Sequence, residues 1–209
     1  MASSYSNPLR LEEIGVGEAS GTWGTKTNTT ISNIATALAS KAKNIASDAD
    51  ATFTMPDGSA DDIRALHLKI TSATLTATRT VTIAPNTVNK VWIVDNSSTG
   101  GQSITISQGS GANITIPNGH TKVIYTDGAG SGAAVVDALA DLNLSGTTTM
   151  ATAATTNFTF GGTAITATGA ELNYLDIATL GLTAPSKAVT ADANGVVTHD
   201  AGISEEYAA

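Results

Sequence analysis

His67, His120 and His199 are the only imidazoles in the 209-residue chain, and each stands alone in its segment. Metal sites and hydrolytic triads need histidines in close pairs or beside a fixed partner, and neither H-E-x-x-H nor H-x-H occurs. There is no cysteine, which removes disulfides, thiolate metal ligands and thiol nucleophiles together. Serine is abundant, yet no G-x-S-x-G elbow is present. The carboxylates Asp48, Asp50, Asp57, Asp61 and Asp62 cluster in sequence, but a calcium loop beginning at Asp48 would need glycine where Phe53 stands and an acid where Ser59 stands. Turn formation and solubility account for them better than a metal. The run Gly128-Ala129-Gly130-Ser131-Gly132-Ala133 formally satisfies G-x-G-x-x-G/A. Its context argues against a dinucleotide: short strands precede it rather than βα units, and Met150 stands near the place of a ribose-binding carboxylate. It reads as a turn between domains. The expectation is therefore no catalytic, cofactor-binding or metal-binding residue, and a protein that is not an enzyme.

Composition narrows the class further. Ala, Thr, Gly and Ser make up roughly half of the chain, while aromatic residues are 4% and charged residues 13%. Large side chains to fill a core are scarce. The net charge of −8 is uneven: basic and acidic residues balance up to residue 122, beyond which Lys187 alone faces nine carboxylates. With no basic run, nucleic acid is excluded as an expected partner. No apolar run approaches the ~18 residues of a membrane span, and Met1–Arg10 lacks the apolar core of a signal peptide.

These side chains must be positioned by a few kinds of element. The first thirty residues contain Asn7-Pro8, Gly15, Gly17, Gly21 and Gly24 and show no sustained period, which predicts an extended arm. Ile31, Ile34, Ala35, Leu38, Ala42 and Ile45 then recur at spacings of three and four, predicting one helix of about 15 residues. Its packing face would be Ile31, Ile34, Leu38 and Ile45, a narrow stripe suited to another helix or a copy of itself.

From Asp50 onward short runs rich in Thr, Val and Ile alternate with turn residues. The predicted strands are Thr52–Met55, Ala65–Thr71, Thr74–Thr78, Thr80–Ala84, Lys90–Asp95, Ser103–Ser107, Asn113–Ile116 and Lys122–Thr126. That rhythm predicts an antiparallel β-sandwich, with Trp92 in its core. A helical stretch is predicted over Ala134–Leu142. Past Leu144 the chain is poor in core material, with strands expected at Phe158–Phe160 and Ala164–Thr168. A short helix follows, opened by the capping box Thr168-Gly169-Ala170-Glu171, and then a hairpin around Asn194-Gly195. So little apolar surface predicts a segment that borrows its core from neighbouring copies. The fold expected is mainly β: an arm and helix (1–49), a sandwich (50–138) and an intertwined, β-rich trimeric shaft or distal connector (139–209).

Trp23 stands between Gly21-Thr22 and Gly24 in an otherwise coreless arm, where a large ring suits anchoring on a partner surface. The segment Gly17-Glu18-Ala19-Ser20-Gly21-Thr22-Trp23-Gly24-Thr25-Lys26-Thr27-Asn28, followed by a helix, resembles the N-terminal region of tail-fibre proteins of marine tailed phages, notably cyanophages. Ser72–Ile83, Val91–Asp95, Gly101–Ile106 and Ile116–Asp127 look like the β-domain that follows that arm, and Ile165–Asp176 (ITATGAELNYLD) is similar to an element that recurs in fibre shafts. The resemblance implies a homotrimeric structural protein of the virion tail that contributes to host attachment. Its N-terminal region would dock on tail-tube proteins (adaptor and nozzle) through Gly21, Thr22, Trp23 and Gly24. Its distal end would meet a receptor-binding protein or a host surface glycan. The alternative is a carbohydrate-binding adhesin without a tail role, its contact loops being Asn96–Gly101 or Gly109–Ala112.

Overall fold

A computed structural model describes residues 2–145, 147, 149, 158–175 and 187–198. They belong to two units, Met1–Ser145 and Gly146–Ala209.

The first unit is mainly β. After helix α1 (Trp23–Leu38) come β1 (Ser40–Ile45), β2 (Ala51–Thr54), β3 (His67–Ser72), β4 (Arg79–Ala84), β5 (Asn89–Asn96), β6 (Ile104–Ser107), β7 (Ile114–Ile116), β8 (Thr121–Asp127) and β9 (Val135–Asp137). One sheet has the order β1-β3-β5-β8-β9 and the other β2-β4-β6-β7. The first six strands therefore alternate between the sheets. Each strand reaches its neighbour only after the chain has crossed the other sheet and returned in the same direction, so β1-β3, β3-β5, β2-β4 and β4-β6 are parallel. Partners lie 25–30 residues apart, as in Ser40 with His67, His67 with Ile93, Ala51 with Val81 and Arg79 with Ile104. Only β5-β8, β6-β7 and β8-β9 are antiparallel. The predicted antiparallel arrangement is thus corrected to a mixed one, because turns such as Pro56-Asp57-Gly58 send the chain across to the other sheet instead of back along the same one.

Strand period and burial agree closely. In β4, Val81 and Ile83 point inward while Thr80 and Thr82 lie between them on the other face. Leu68, Ile70, Trp92, Val94 and Ile124 from the first sheet join Phe53, Val81, Ile83, Ile104, Ile106 and Ile116 from the second in one cluster. Trp92 is fully buried, as expected, and its Nε1 donates to the Ile63 carbonyl at 2.9 Å. Its strand is not buried on both sides, since Val91 is 46% exposed. Asn96, fully buried at the end of β5, donates to the carbonyls of Gln102 (3.1 Å) and Ile116 (2.9 Å) and accepts from Ser98. Every polar atom of that amide is satisfied, which is what makes its burial tolerable.

Several predicted elements are displaced. The helix lies nearer the N-terminus than the apolar spacing suggested, and Ala42 and Ile45 fall in β1, where Ile45 is 1% exposed. Register with β3 gives that segment a ladder of hydrogen bonds, which outweighs the continued helical spacing. Thr74–Thr78 is not a strand; Leu75 plugs the core from a bend whose amide donates to Thr99 O at 2.8 Å. A Cβ on Gly100, at φ +103°, would lie 2.1 Å from Leu75 O, so only glycine fits there. Val135–Asp137 is a strand, not part of a helix. The Gly128–Ala133 run is a loop between β8 and β9 within the unit, containing a 3-10 turn at Gly130–Gly132, rather than a turn between domains.

In the second unit, β10 (Phe158–Phe160) pairs antiparallel with β11 (Thr163–Ile165). Gly161 and Gly162, both at positive φ, make the two-residue turn between them. Helix α2 (Gly169–Asn173) opens with the predicted capping box: Thr168 N donates to Glu171 Oε2 at 2.7 Å, and Glu171 N to Thr168 Oγ1 at 3.2 Å. Around Asn194-Gly195 there is a turn closed by Asp192 N to Val196 O at 2.8 Å, without flanking strands among the described residues. His199 and most of Ser145–Thr156 lie outside the described residues.

Candidate interaction site

Residues 2–20 do not form an extended arm. Ser4 and Glu13 exchange backbone hydrogen bonds at 3.0 and 2.9 Å, folding the segment on itself. Arg64 then clamps it to the unit. This guanidinium is fully buried, and it donates from Nε to Leu9 O at 2.9 Å, from Nη2 to Arg10 O at 3.4 Å and to Pro56 O, and from Nη1 to Ser59 O. A forked, always-charged donor suits four carbonyls that converge from two segments. Gly58 N donates to Arg10 O at 2.8 Å, and Arg10 forms an ion pair with Asp57.

The clamped segment carries α1. Lys26 pairs with Glu12, Asn33 Nδ2 donates to Gly58 O at 2.7 Å, and Asn33 and Ala37 are 1% and 6% exposed. Asn33 and Ala37 thus form the inward face of the helix. Its apolar residues face out: Trp23 is 66% exposed, Ile31 58%, Ile34 41% and Leu38 75%. At about 100° per residue these four fall within an arc of roughly 80°. Of the predicted packing face, Ile31, Ile34 and Leu38 therefore share one exposed side of α1, and Ile45 does not belong to it.

Trp23 opens the helix, with Thr22 as its N-cap residue and Gly21 at φ +76° just before. Gly24 lies in the first turn, so Gly21, Thr22, Trp23 and Gly24 are brought together, all exposed, at the start of a helix rather than in an arm. Beside the indole is a shallow cavity of about 320 Å³ lined by Ile14, Gly15, Gly17, Ala19 and Ser20.

The other chemistry-bearing residues are engaged locally. Asp48 pairs with Arg79 at 2.8 Å, Asp61 with Lys43 at 2.7 Å and Asp62 with Lys41 at 3.9 Å, while Asp50 accepts from Thr80 N at 2.8 Å. Arg79 and then Thr76 hold the Asp48 carboxyl well below the usual carboxylate range. No three metal-ligating side chains converge among the described residues. His67 Nδ1 meets Ser40 Oγ at 2.6 Å across β1 and β3, and His120 Nδ1 donates to Asn118 O at 3.0 Å. In the loop Asn96–Gly101, Ser98 is 7% exposed and hydrogen-bonded to Asn96 and Asn118, so its polar groups are spent internally. Asp127 Oδ1 accepts from Ala129 N and Ala134 N, which fixes the two ends of the glycine loop.

The chain matches no family model, no curated protein and no solved structure in the comparisons made.

Proposed function

We propose that this chain is a structural component of a phage tail: a homotrimeric fibre with a two-sheet sandwich at its base and an intertwined β-rich shaft. The observation that carries the reading is the exposure of the second unit. Its described apolar side chains include Ile165 (37% exposed), Leu172 (43%), Tyr174 (50%), Leu175 (64%), Val189 (64%), Val196 (52%) and Val197 (37%), and none of the described residues there is buried. Exposed apolar surface on that scale calls for a partner. Copies of the same chain supply one without any further component, and closed threefold symmetry uses the same surfaces on each copy. In this reading the fibre belongs to the virion, attaches to tail-tube proteins through Gly21, Thr22, Trp23 and Gly24, and contributes to host attachment at its other end.

Native mass by light scattering, beside an unheated denaturing gel, tests it. A particle of three times the chain mass that resists the detergent is expected. A monomer overturns the fibre reading.

A further inference from the structure

We infer that the outer face of α1 is a seam between copies of this chain, three α1 helices meeting through Ile31, Ile34 and Leu38. A surface helix of a monomer buries its apolar stripe and exposes its polar one. Here the apolar stripe is left in solvent: Asn33 and Ala37 are buried and Lys26 is drawn inward to Glu12, while Ile31, Ile34 and Leu38 are exposed.

The spacing of those three residues identifies what covers them. A step of three and then of four is the a, d, a sequence of a heptad, and the same frame places Thr27 at d and Gly24 at a, both small enough for close approach at the other end. Isoleucine at both a and d favours three or four parallel helices over two, because β-branched side chains at d pack poorly in the two-helix geometry. Charge points the same way. Basic and acidic residues balance over residues 1–122, which carry α1, and residues 27–40 contain no charged side chain. The helix has no acidic residue in its first turn and no basic residue in its last, and the flanking e positions Asn28 and Ala35 are neutral. Such a face meets its own copy without a like-charge penalty and offers nothing to steer a charged foreign helix. Two heptads are too short to associate as a free peptide. Anchored to the unit through Asn33 and Lys26, the helix is already ordered before it meets its copies.

The inference rests on the fibre reading for the number three alone. Since the chain has no cysteine, Ile31→Cys in the full chain introduces a single thiol at the seam. Thr29→Cys, exposed about 160° around the helix, is its control. On mild oxidation at micromolar concentration, up to two of every three Ile31→Cys chains should run as covalent dimers on a denaturing gel, with Thr29→Cys remaining monomeric. Ile34→Lys, on an exposed position that leaves folding intact, should cut the Ile31→Cys cross-link yield at least tenfold in the double variant. A particle of threefold mass that forms no cross-link through Ile31→Cys, or whose cross-linking is indifferent to Ile34→Lys, overturns the seam and leaves the fibre standing. Loss of tail incorporation in Ile34→Lys with the cross-link intact assigns the face to a tail protein and also overturns the inference. Monomeric native mass removes both readings.

Discussion

Arg64 Nε donates to the carbonyl of Leu9 at 2.9 Å across 55 residues of sequence, and the same guanidinium serves three further carbonyls. Burial pushes its pKa down, opposed by the nearby Asp61 and Asp57 carboxylates, but a guanidinium stays charged throughout the accessible range. Together with the Arg10–Asp57 pair and the Gly58 N to Arg10 O bond, this side chain fixes the N-terminal segment on the unit.

Arg64→Met should therefore cost about 1–3 kcal/mol in urea unfolding, since it removes the guanidinium donor from four part-buried carbonyls. It should also release residues 1–10, making the bond after Arg10 a site of rapid tryptic cleavage. Arg64→Lys should not restore protection, because an ammonium cannot span the four carbonyls. A variant that unfolds like the wild type and keeps its N-terminus under trypsin would show that the clamp is not what holds the segment.

Trp23 is 66% exposed, so Trp23→Ala should change unfolding free energy by no more than about 0.5 kcal/mol. Incorporation into tails should nonetheless be lost in an assembly assay. Normal incorporation would remove Trp23 from the attachment surface.

Lys90 Nζ lies 4.7 Å from the centre of the Trp92 ring and donates to Ala65 O (3.1 Å) and Val91 O (3.0 Å). Burial pushes its pKa from 10.5 down to about 8. Below pH 8 the amine is charged whether the chain is folded or not. Between pH 8 and 10.5 the unfolded chain holds the proton more tightly, so this group makes stability rise with pH across that window. Lys90→Met should lack that contribution. Urea titrations at pH 7, 8, 9 and 10 should show a more positive pH dependence for the wild type than for the variant; parallel curves would refute the assignment.

Asp48 also makes stability rise with pH, in an acidic window and because its charged form is favoured rather than penalised in the folded chain. Its carboxyl is lowered by Arg79 and Thr76, so its contribution is present above the unfolded value of 3.8 and lost as the pH falls below it. The stability deficit of Asp48→Asn should be full at pH 6 and shrink progressively below pH 4, as followed by chemical denaturation. A deficit independent of pH would mean that the ion pair is not its cause.

The positions of most strands were legible because Thr, Val and Ile alternate at period two in runs such as Arg79–Ala84, where inward and outward residues separate by type. Their pairing was not. A turn like Pro56-Asp57-Gly58 has the same composition whether the chain reverses along one sheet or crosses to another, and what differs is a partner 25–30 residues away. The apolar spacing that marks α1 runs on through Ala42 and Ile45 by coincidence, so it displaced the helix toward β1. Trp23 stood out by size and setting, and it does open an exposed apolar face. Arg64 left no local signature: Asp61-Asp62-Ile63-Arg64 looks like a polar turn, and only the folded chain brings Leu9, Pro56 and Ser59 around it.

The alternation of strands between two sheets also sets the order in which the chain acquires structure during synthesis. β1 leaves the ribosome with no adjacent strand to pair with and must wait until β3 has emerged; β2 waits in the same way for β4. The hairpin of β6 with β7 and that of β8 with β9 close over short loops and form quickly once exposed, whereas the parallel pairs each close a loop several times longer. The first half of the unit is thus made early and completed late, its apolar residues such as Ile45 and Phe53 waiting on partners that emerge later.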